Sequence, residues 1–96
     1  MARTFTTYEW ALETLNDDGD IVDVDFFDTL HDLVEYESNL DGKRIALVKH
    51  TNLEYRDGEE IDRTYAYVED GELEAEFADG STVPKARRAE VARLLR

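Results

Sequence analysis

The sequence predicts an α+β fold with two N-terminal helices, a three- or four-stranded antiparallel sheet, and a C-terminal helix. Three observations lead to this fold class. Apolar residues recur at helical spacing between residues 8 and 34, Asp-Gly turns separate apolar runs between residues 43 and 83, and one proline opens a final segment rich in helix formers. Since 96 residues are enough for one modest core, we predict a single domain over residues 1–96.

The first helix is predicted to begin at a capping box. Thr6 can accept a hydrogen bond from the amide of Glu9, and the Glu9 carboxylate can reach back to the amide of Thr6. Four apolar residues follow at helical intervals and form one buried stripe: Tyr8, Ala11, Leu12 and Leu15. Gly19 suits the left-handed position at which such a helix ends.

Trp10, the only tryptophan in the chain, does not fit this stripe. On a helix its side chain points roughly 150° away from the centre of the apolar stripe. Two interpretations follow: Trp10 packs beneath a neighbouring element, or it is an exposed anchor for a partner protein.

A second helix is predicted from Asp25 onward. The preceding residues are ambiguous, because Val22, Val24 and Phe26 alternate as a short strand would. Asp23 or Asp25 could equally cap a helix. Within the predicted helix, five apolar residues gather on one side, namely Phe26, Phe27, Leu30, Leu33 and Val34, and four acids form a row on the other, namely Asp25, Asp28, Asp32 and Glu35.

Residues 43–83 are predicted to form the sheet. The run from Arg44 to Val48 is the most apolar in the chain and is predicted as the central strand, and residues 61–68 are predicted as the next strand after a turn over residues 55–59. Asp70 and Gly71 favour positive φ and predict a tight hairpin. Its register pairs Val68 with Leu73 and Glu69 with Glu72. Five residues are then predicted to face the core, namely Ala66, Val68, Leu73, Ala75 and Phe77. Five others are predicted to face outward: Tyr65, Tyr67, Glu72, Glu74 and Glu76.

The chain is predicted to end in a short edge strand and a helix. A turn at Asp79-Gly80 leads to the edge strand, which finishes near Val83, and Pro84 suits the first position of the helix. Three apolar residues can dock this helix on the sheet: Val91, Leu94 and Leu95. Its last turn contains arginines, Arg93 and Arg96, which complement the negative end of the helix dipole.

The net charge of −13 is unevenly distributed along the sequence. Residues 1–42 carry −11, residues 43–83 carry −6, and residues 84–96 carry +4. No Lys or Arg occurs between Arg3 and Lys43. Such a field repels nucleic acid and anionic membranes and attracts basic protein surfaces, so we expect a basic protein partner.

Two groups of residues are candidates for partner binding. The first is the acid row of the second helix together with residues of the first: Glu9, Trp10, Glu13, Asp25, Asp28, Asp32 and Glu35. Spaced roughly 5 to 6 Å apart along a helix, the acids of the row resemble the phosphates of a nucleic-acid strand, although a row of charges is also typical of a solvated helix face. The second is the outward strip of the hairpin, which is equally typical of an ordinary solvent-facing sheet: Tyr65, Tyr67, Glu72, Glu74 and Glu76.

Patterns for catalysis and metal binding are weak. His31 and Asp32 are neighbours on the predicted helix and point about 100° apart, and His50 lies near no nucleophile motif. A calcium loop centred on Gly19 lacks the required acids at its first and last positions. A looser cation site is an alternative, formed by Asp17, Asp18, Asp20 and Asp23. We predict that the protein is not an enzyme and uses no cofactor or metal.

The size of the chain and the placement of its acids resemble those of small acidic phage inhibitors of the anti-CRISPR and anti-restriction kind, in which surface carboxylates imitate nucleic-acid phosphates. The resemblance implies that Glu72, Glu74 and Glu76 form a second strip and that six acids replace phosphates: Glu9, Glu13, Asp25, Asp28, Asp32 and Glu35. It also implies a nuclease or a CRISPR effector complex as the target. The basic segment from Lys85 to Arg96 departs from a uniformly anionic mimic.

The predicted function is therefore non-catalytic inhibition of a basic nucleic-acid-binding protein or ribonucleoprotein complex, by one copy or by a homodimer. Direct binding to nucleic acid or to a membrane is not expected. The alternatives are an immunity protein or antitoxin that neutralises a basic toxin, and a salt-adapted acidic housekeeping domain. The chain has no cysteine, no apparent export signal and no long apolar run, so we expect it in the cytoplasm, and in a bacterial host cell if a phage encodes it.

Overall fold

A five-stranded antiparallel sheet with the strand order β2-β1-β3-β4-β5 forms the framework of the protein. The computed structural model describes residues 3–55 and 58–95. The elements are β1 (Thr4–Leu15), β2 (Ile21–Phe27), α1 (Leu30–Tyr36), β3 (Lys43–Leu53), β4 (Glu60–Glu69), β5 (Glu72–Leu73) and α2 (Lys85–Leu95). The α+β class and the C-terminal helix are confirmed, whereas the two predicted N-terminal helices are wrong and the sheet has more strands than predicted.

The first predicted helix is the strand β1, which lies between β2 and β3. Its first half is rich in β-branched and aromatic residues, which favour strands, and neighbouring strands on both sides satisfy its backbone. Alternation along a strand places Tyr8, Trp10 and Leu12 on the same side. This explains why Trp10 did not fit a helical stripe: it is 0% exposed and belongs to the main core.

The second predicted helix is divided between two elements. The alternating segment before Asp28 forms β2, and α1 begins only at Leu30, capped by the Thr29 side chain, which accepts a hydrogen bond from the amide of Asp32 at 3.1 Å. The predicted caps Asp23 and Asp25 therefore lie within a strand. As a result, the four acids predicted to form one helical row do not share a helix.

The strands of the second half agree with the sequence. β3 is the central strand of the sheet, and β4 pairs with it over the predicted segment. The hairpin register is confirmed at Val68 with Leu73 and at Glu69 with Glu72, and Asp70 and Gly71 both have positive φ, 53° and 77°. The predicted turn over residues 55–59 includes residues 56 and 57, which lie outside the described residues, as does residue 96 at the predicted end of the last helix.

Pairing along the hairpin ends earlier than predicted. β5 comprises only two residues, and the Glu74 carboxylate then accepts a hydrogen bond from the amide of Tyr67 at 2.7 Å. Beyond it, a single bridge between Glu76 and Thr82 takes the place of the predicted edge strand. Ala75, predicted to face the core, is exposed.

Both helices pack on one side of the sheet. Leu30 and Leu33 from α1 and Val91 from α2 join the main core, which also contains Trp10 and Leu47 from the central strands. Pro84 precedes α2, and its carbonyl accepts the first hydrogen bonds of the helix, while Leu94 and Leu95 pack against the core as predicted. No described helix packs on the opposite side of the sheet, which we call the open face.

Two irregularities in strand pairing shape the open face. Ile61 in β4 and Val22 in β2 have no Cα partner opposite them, because the register shifts between Thr51 and Asn52 and between Thr14 and Leu15. An extra residue in a strand reverses the face of the sheet to which the side chains beyond it point. Glu60 is thereby turned to the open face.

Candidate protein-binding surfaces

The acids of residues 17–35 lie along one edge of the sheet. The set comprises eight carboxylates from the β1–β2 turn, from β2 and the segment after it, and from α1, and we call it the acidic edge: Asp17, Asp18, Asp20, Asp23, Asp25, Asp28, Asp32 and Glu35. Seven of them are exposed and Asp25 is half-buried. β2 is an edge strand, and α1 packs against its end through the rings of Tyr36 and Phe27, whose centroids are 5.2 Å apart.

The strand geometry sets the side on which these acids project. Asp23 pairs with Thr14 and Asp25 with Leu12, so both carboxylates point to the side of the sheet that carries the helices. Two residues along a strand separate them by about 6.5 Å. The regular helical row is therefore replaced by a shorter row on a strand, continued by a turn at one end and a helix at the other.

No Lys or Arg of the described ranges makes an ion pair with the acidic edge. The one ion pair in this region joins His31 Nε2 to Glu35 Oε1 at 3.5 Å, and both side chains are exposed. Like charges left close together without a cation raise the free energy of the isolated protein. A basic partner would relieve this repulsion.

Three acids of the open face, Glu9, Glu13 and Glu60, are in contrast bonded to basic side chains. His50 is at the centre of a network that connects three strands: its Nε2 lies 2.6 Å from a Glu9 carboxylate oxygen, and its Nδ1 lies 2.8 Å from a Glu60 oxygen. Arg63 donates two hydrogen bonds to Glu60, at 2.9 and 3.0 Å. The bonds from Arg63 and then from His50 lower the pKa of Glu60 to about 2, and the Glu60 carboxylate raises the pKa of Arg63.

A second ion pair lies nearer the acidic edge on the same face. Glu13 is only 4% exposed, and its carboxylate accepts a hydrogen bond from Arg44 Nε at 2.8 Å. The Arg44 guanidinium in turn lies 4.1 Å from the centre of the Tyr67 ring, which stacks on Tyr65. Burial, followed by the negative charge of Glu13, raises the pKa of the Tyr67 hydroxyl.

The structure separates the residues that the sequence predicted as one partner site. Trp10 is in the core and has no exposed surface, and Glu9 and Glu13 project from β1 onto the open face, where both are paired. Four predicted residues belong to the acidic edge: Asp25, Asp28, Asp32 and Glu35. Tyr65 and Tyr67 are half-buried on the open face, and three exposed acids lie at the far end of the sheet, namely Glu72, Glu74 and Glu76.

Sequence reasoning missed the network around His50 because its members lie far apart in the chain. Glu9 precedes His50 by 41 residues, and Glu60 follows it by ten. The available signal was alternation in β3, where Ala46, Val48 and His50 share one side. That pattern identifies the face, but the partner strands become known only with the register.

One described cluster has the composition of a metal site. His31, Asp32 and Glu35 place one ligand atom each within 4.8 Å of one another, and all three side chains are exposed. The trio could supply three ligands to a divalent cation, with water completing the coordination. The looser cation site predicted in the β1–β2 turn is not assembled: Asn16 Oδ1 accepts hydrogen bonds there from the amides of Asp18 and Asp20, and among the residues described the carboxylates do not converge.

Within the described ranges, neither helix has the length and apolar character that a membrane crossing needs. Comparison with known proteins finds no matching family model, curated protein or solved structure.

Proposed function

We propose that the protein is a non-catalytic inhibitor that presents its acidic edge to the basic, nucleic-acid-binding surface of another protein. The observation that carries the proposal is the sorting of carboxylates. Three acids of the open face, Glu9, Glu13 and Glu60, are bonded to His50, Arg44 and Arg63, whereas the eight of the acidic edge have no Lys or Arg partner among the described residues. Eight such carboxylates from neighbouring elements are concentrated along one edge, and their unrelieved charge is consistent with a role in binding.

A fixed array of carboxylates has a physical advantage over a flexible acidic tail. Strand β2 holds Asp23 and Asp25 in a hydrogen-bonded sheet, and Thr29 caps the helix that carries Asp32. Less conformational entropy is then lost when arginine or lysine side chains bind. Each contact adds a charge-assisted hydrogen bond, and association is accelerated by the long-range field.

The partner class follows from the charge of the edge and from the resemblance to acidic phage inhibitors. A groove built for phosphates presents several cations within reach of one another, which is what a row of carboxylates needs. We therefore propose a nuclease or a CRISPR effector complex as the target, blocked by phosphate mimicry. Binding of this kind weakens as salt screens the charges.

The test is capture from nuclease-treated bacterial lysate with three immobilised proteins. The first is the wild type, and the second carries Asp23→Lys and Asp28→Lys, both at exposed positions of the acidic edge. The third is a matched control with the same change in charge away from the acidic edge and from the hairpin strip, Glu54→Lys and Asp62→Lys, both at exposed positions. Circular dichroism establishes that all three are folded.

We expect the wild type and the control to retain the same nucleic-acid-binding protein, which a salt gradient releases, and the edge variant to lose it. Equal retention by the edge variant would contradict a role for the edge. Capture of a single toxin that resists salt would instead favour the immunity-protein alternative.

A further inference from the structure

The open face carries an apolar row that crosses four strands. Cα pairing aligns Phe26 in β2 with Ala11 in β1, Ala46 in β3 and Tyr67 in β4. Phe26 is 48% exposed, and the two alanines beside it are buried beneath their larger neighbours. A chain with 24 acidic residues would be expected to place charge at such a position if it faced only water.

Both ends of this row are extended by further apolar side chains. Ile21 pairs with Leu15 and is 46% exposed, and Val24 packs against the small cluster of Ala11, Ala46 and Val48. On β4, the Tyr65 and Tyr67 rings stack with their centroids 6.4 Å apart. Aromatic rings of this kind provide rigid contact area at a small entropic cost.

The charged groups around the apolar row balance one another. Three carboxylates, from Glu9, Glu13 and Glu60, are bonded to three basic groups: Arg44, His50 and Arg63. Each ring nitrogen of His50 lies within hydrogen-bond distance of a carboxylate oxygen, one from Glu9 and one from Glu60. The charges at the centre of the open face are therefore paired, and Glu69 and Glu72 lie at its margin, so on a molecule of net charge −13 this centre is a place where a second copy meets little repulsion.

We infer that the open face is the interface of a homodimer in which two sheets pack face to face. The inference does not depend on the proposed function. Antiparallel sheets pack in this way at about 10 Å, with their strands about 30° apart, and the interface has two-fold symmetry. A single-sign basic partner suits the acidic edge better, because the carboxylates at the centre of the open face are already bonded to Arg44, His50 and Arg63.

The available area is sufficient for a stable dimer. Four strands spaced about 4.8 Å apart, each contributing about nine residues, give the sheet a flat area of roughly 580 Å² on each copy. Side chains that project from the sheet add to this area. A standard stable interface buries about 800 Å² per partner. With the added surface of the projecting side chains, the area of the open face is comparable to that of a standard interface.

The test is analytical ultracentrifugation of the whole chain over a range of concentrations at about 50 mM and about 500 mM salt. We expect a monomer–dimer equilibrium that shifts toward dimer at the higher salt, because Glu69 and Glu72 near the margin and the acids elsewhere repel one another across the two copies. Binding to a basic partner would show the opposite salt dependence, so the two proposals can fail separately.

Two variants identify the interface. Phe26→Asp should weaken the dimer by about tenfold or more, since it places a charge at the most exposed apolar position of the row. Tyr36→Asp is the matched control: it removes an aromatic ring that is 64% exposed on the helix-bearing side and adds the same charge. If Phe26→Asp unfolds the chain, Ile21→Asp replaces it. A monomer at every concentration and salt would overturn the inference, and so would a dimer that Tyr36→Asp weakens as much as Phe26→Asp.

Discussion

At the scale of single residues, Glu60 is the described carboxyl group whose pKa is lowered furthest, and its hydrogen bonds explain the shift. Arg63 donates two hydrogen bonds to it, and His50 contacts it at 2.8 Å from the neighbouring strand. All three act in the same direction, favouring the charged form. The pKa of Glu60 falls to about 2 from an ordinary value of 4.5.

This shift makes a prediction about stability and pH. Since the folded-state pKa is lower than the unfolded one, the stabilisation by Glu60 is complete above pH 4.5 and is lost as the pH falls toward about 2. The free-energy difference between the wild type and Glu60→Gln should therefore be constant at neutral pH, shrink below pH 4.5 and disappear as the pH falls through about 2.

Urea unfolding at a series of pH values measures this difference, and NMR titration of the Glu60 carboxyl gives its pKa directly. Glu54→Gln is the control, because it removes an exposed carboxylate that contributes nothing to the network. A midpoint for Glu60 near its ordinary value would contradict the bonding described for Arg63.

At the scale of elements, β1 determines the architecture. A helix at this position would leave Trp10 on a polar surface, whereas a strand places it between Tyr8 and Leu12 on the core side. The indole Nε1 is buried and has no hydrogen-bond partner in the described part of the chain. An unpaired buried N–H costs about 1–3 kcal/mol, so packing of the ring must outweigh that loss.

We predict that Trp10→Ala lowers the free energy of unfolding by about 3–5 kcal/mol, because it leaves a large cavity beside Leu47. Tyr36→Ala, at an exposed position, should cost much less. Denaturant unfolding monitored by circular dichroism gives both values. A small effect of Trp10→Ala would contradict the placement of β1 in the core.

The elements that could be predicted from the sequence are those specified by local chemistry. Asp70-Gly71 fixes a two-residue turn, and the turn fixes the register of its neighbours. The helix after Pro84 could likewise be predicted from local signals, namely the proline at its start and the apolar residues along one of its sides. β1 could not be predicted in this way, because Thr6 and Glu9 match a capping box while the long-range pairing with β2 and β3 favours a strand.

The candidate site, too, could be predicted only as far as the local sequence specifies it. The acids of residues 17–35 were identified from composition alone, and they do collect on one part of the surface. Their arrangement depended on whether β2 was a strand, which the alternation of Val22, Val24 and Phe26 suggested. The paired acids Glu9 and Glu13 could not be separated from the unpaired ones without the sheet register.

At the scale of the whole molecule, the charge is divided between surfaces. The described structure extends 45 × 28 × 24 Å, with acids along the β2 edge, a balanced open face, and α2 carrying most of the basic residues of the last segment. Charge that served only solubility in high salt would not need this division. The arrangement suits a protein whose acidic edge and open face meet different partners.

This division predicts how the fold responds to salt. At about 10 mM salt the repulsion along the acidic edge is strongest, so the melting temperature should fall, but unfolding should remain cooperative because the core and the His50 network do not depend on added ions. Thermal melts at several salt concentrations provide the measurement. Loss of the folded state at low salt would favour the salt-adapted alternative.

The most direct test of phosphate mimicry is competition on the captured partner. The affinity of that partner for its own DNA or RNA is measured with increasing amounts of the wild type, or of the variant carrying Asp23→Lys and Asp28→Lys. Mimicry predicts that the apparent Kd for nucleic acid rises in proportion to the wild-type concentration and is unaffected by the variant. Formation of a ternary complex, with nucleic acid and inhibitor bound together at undiminished affinity, would contradict it.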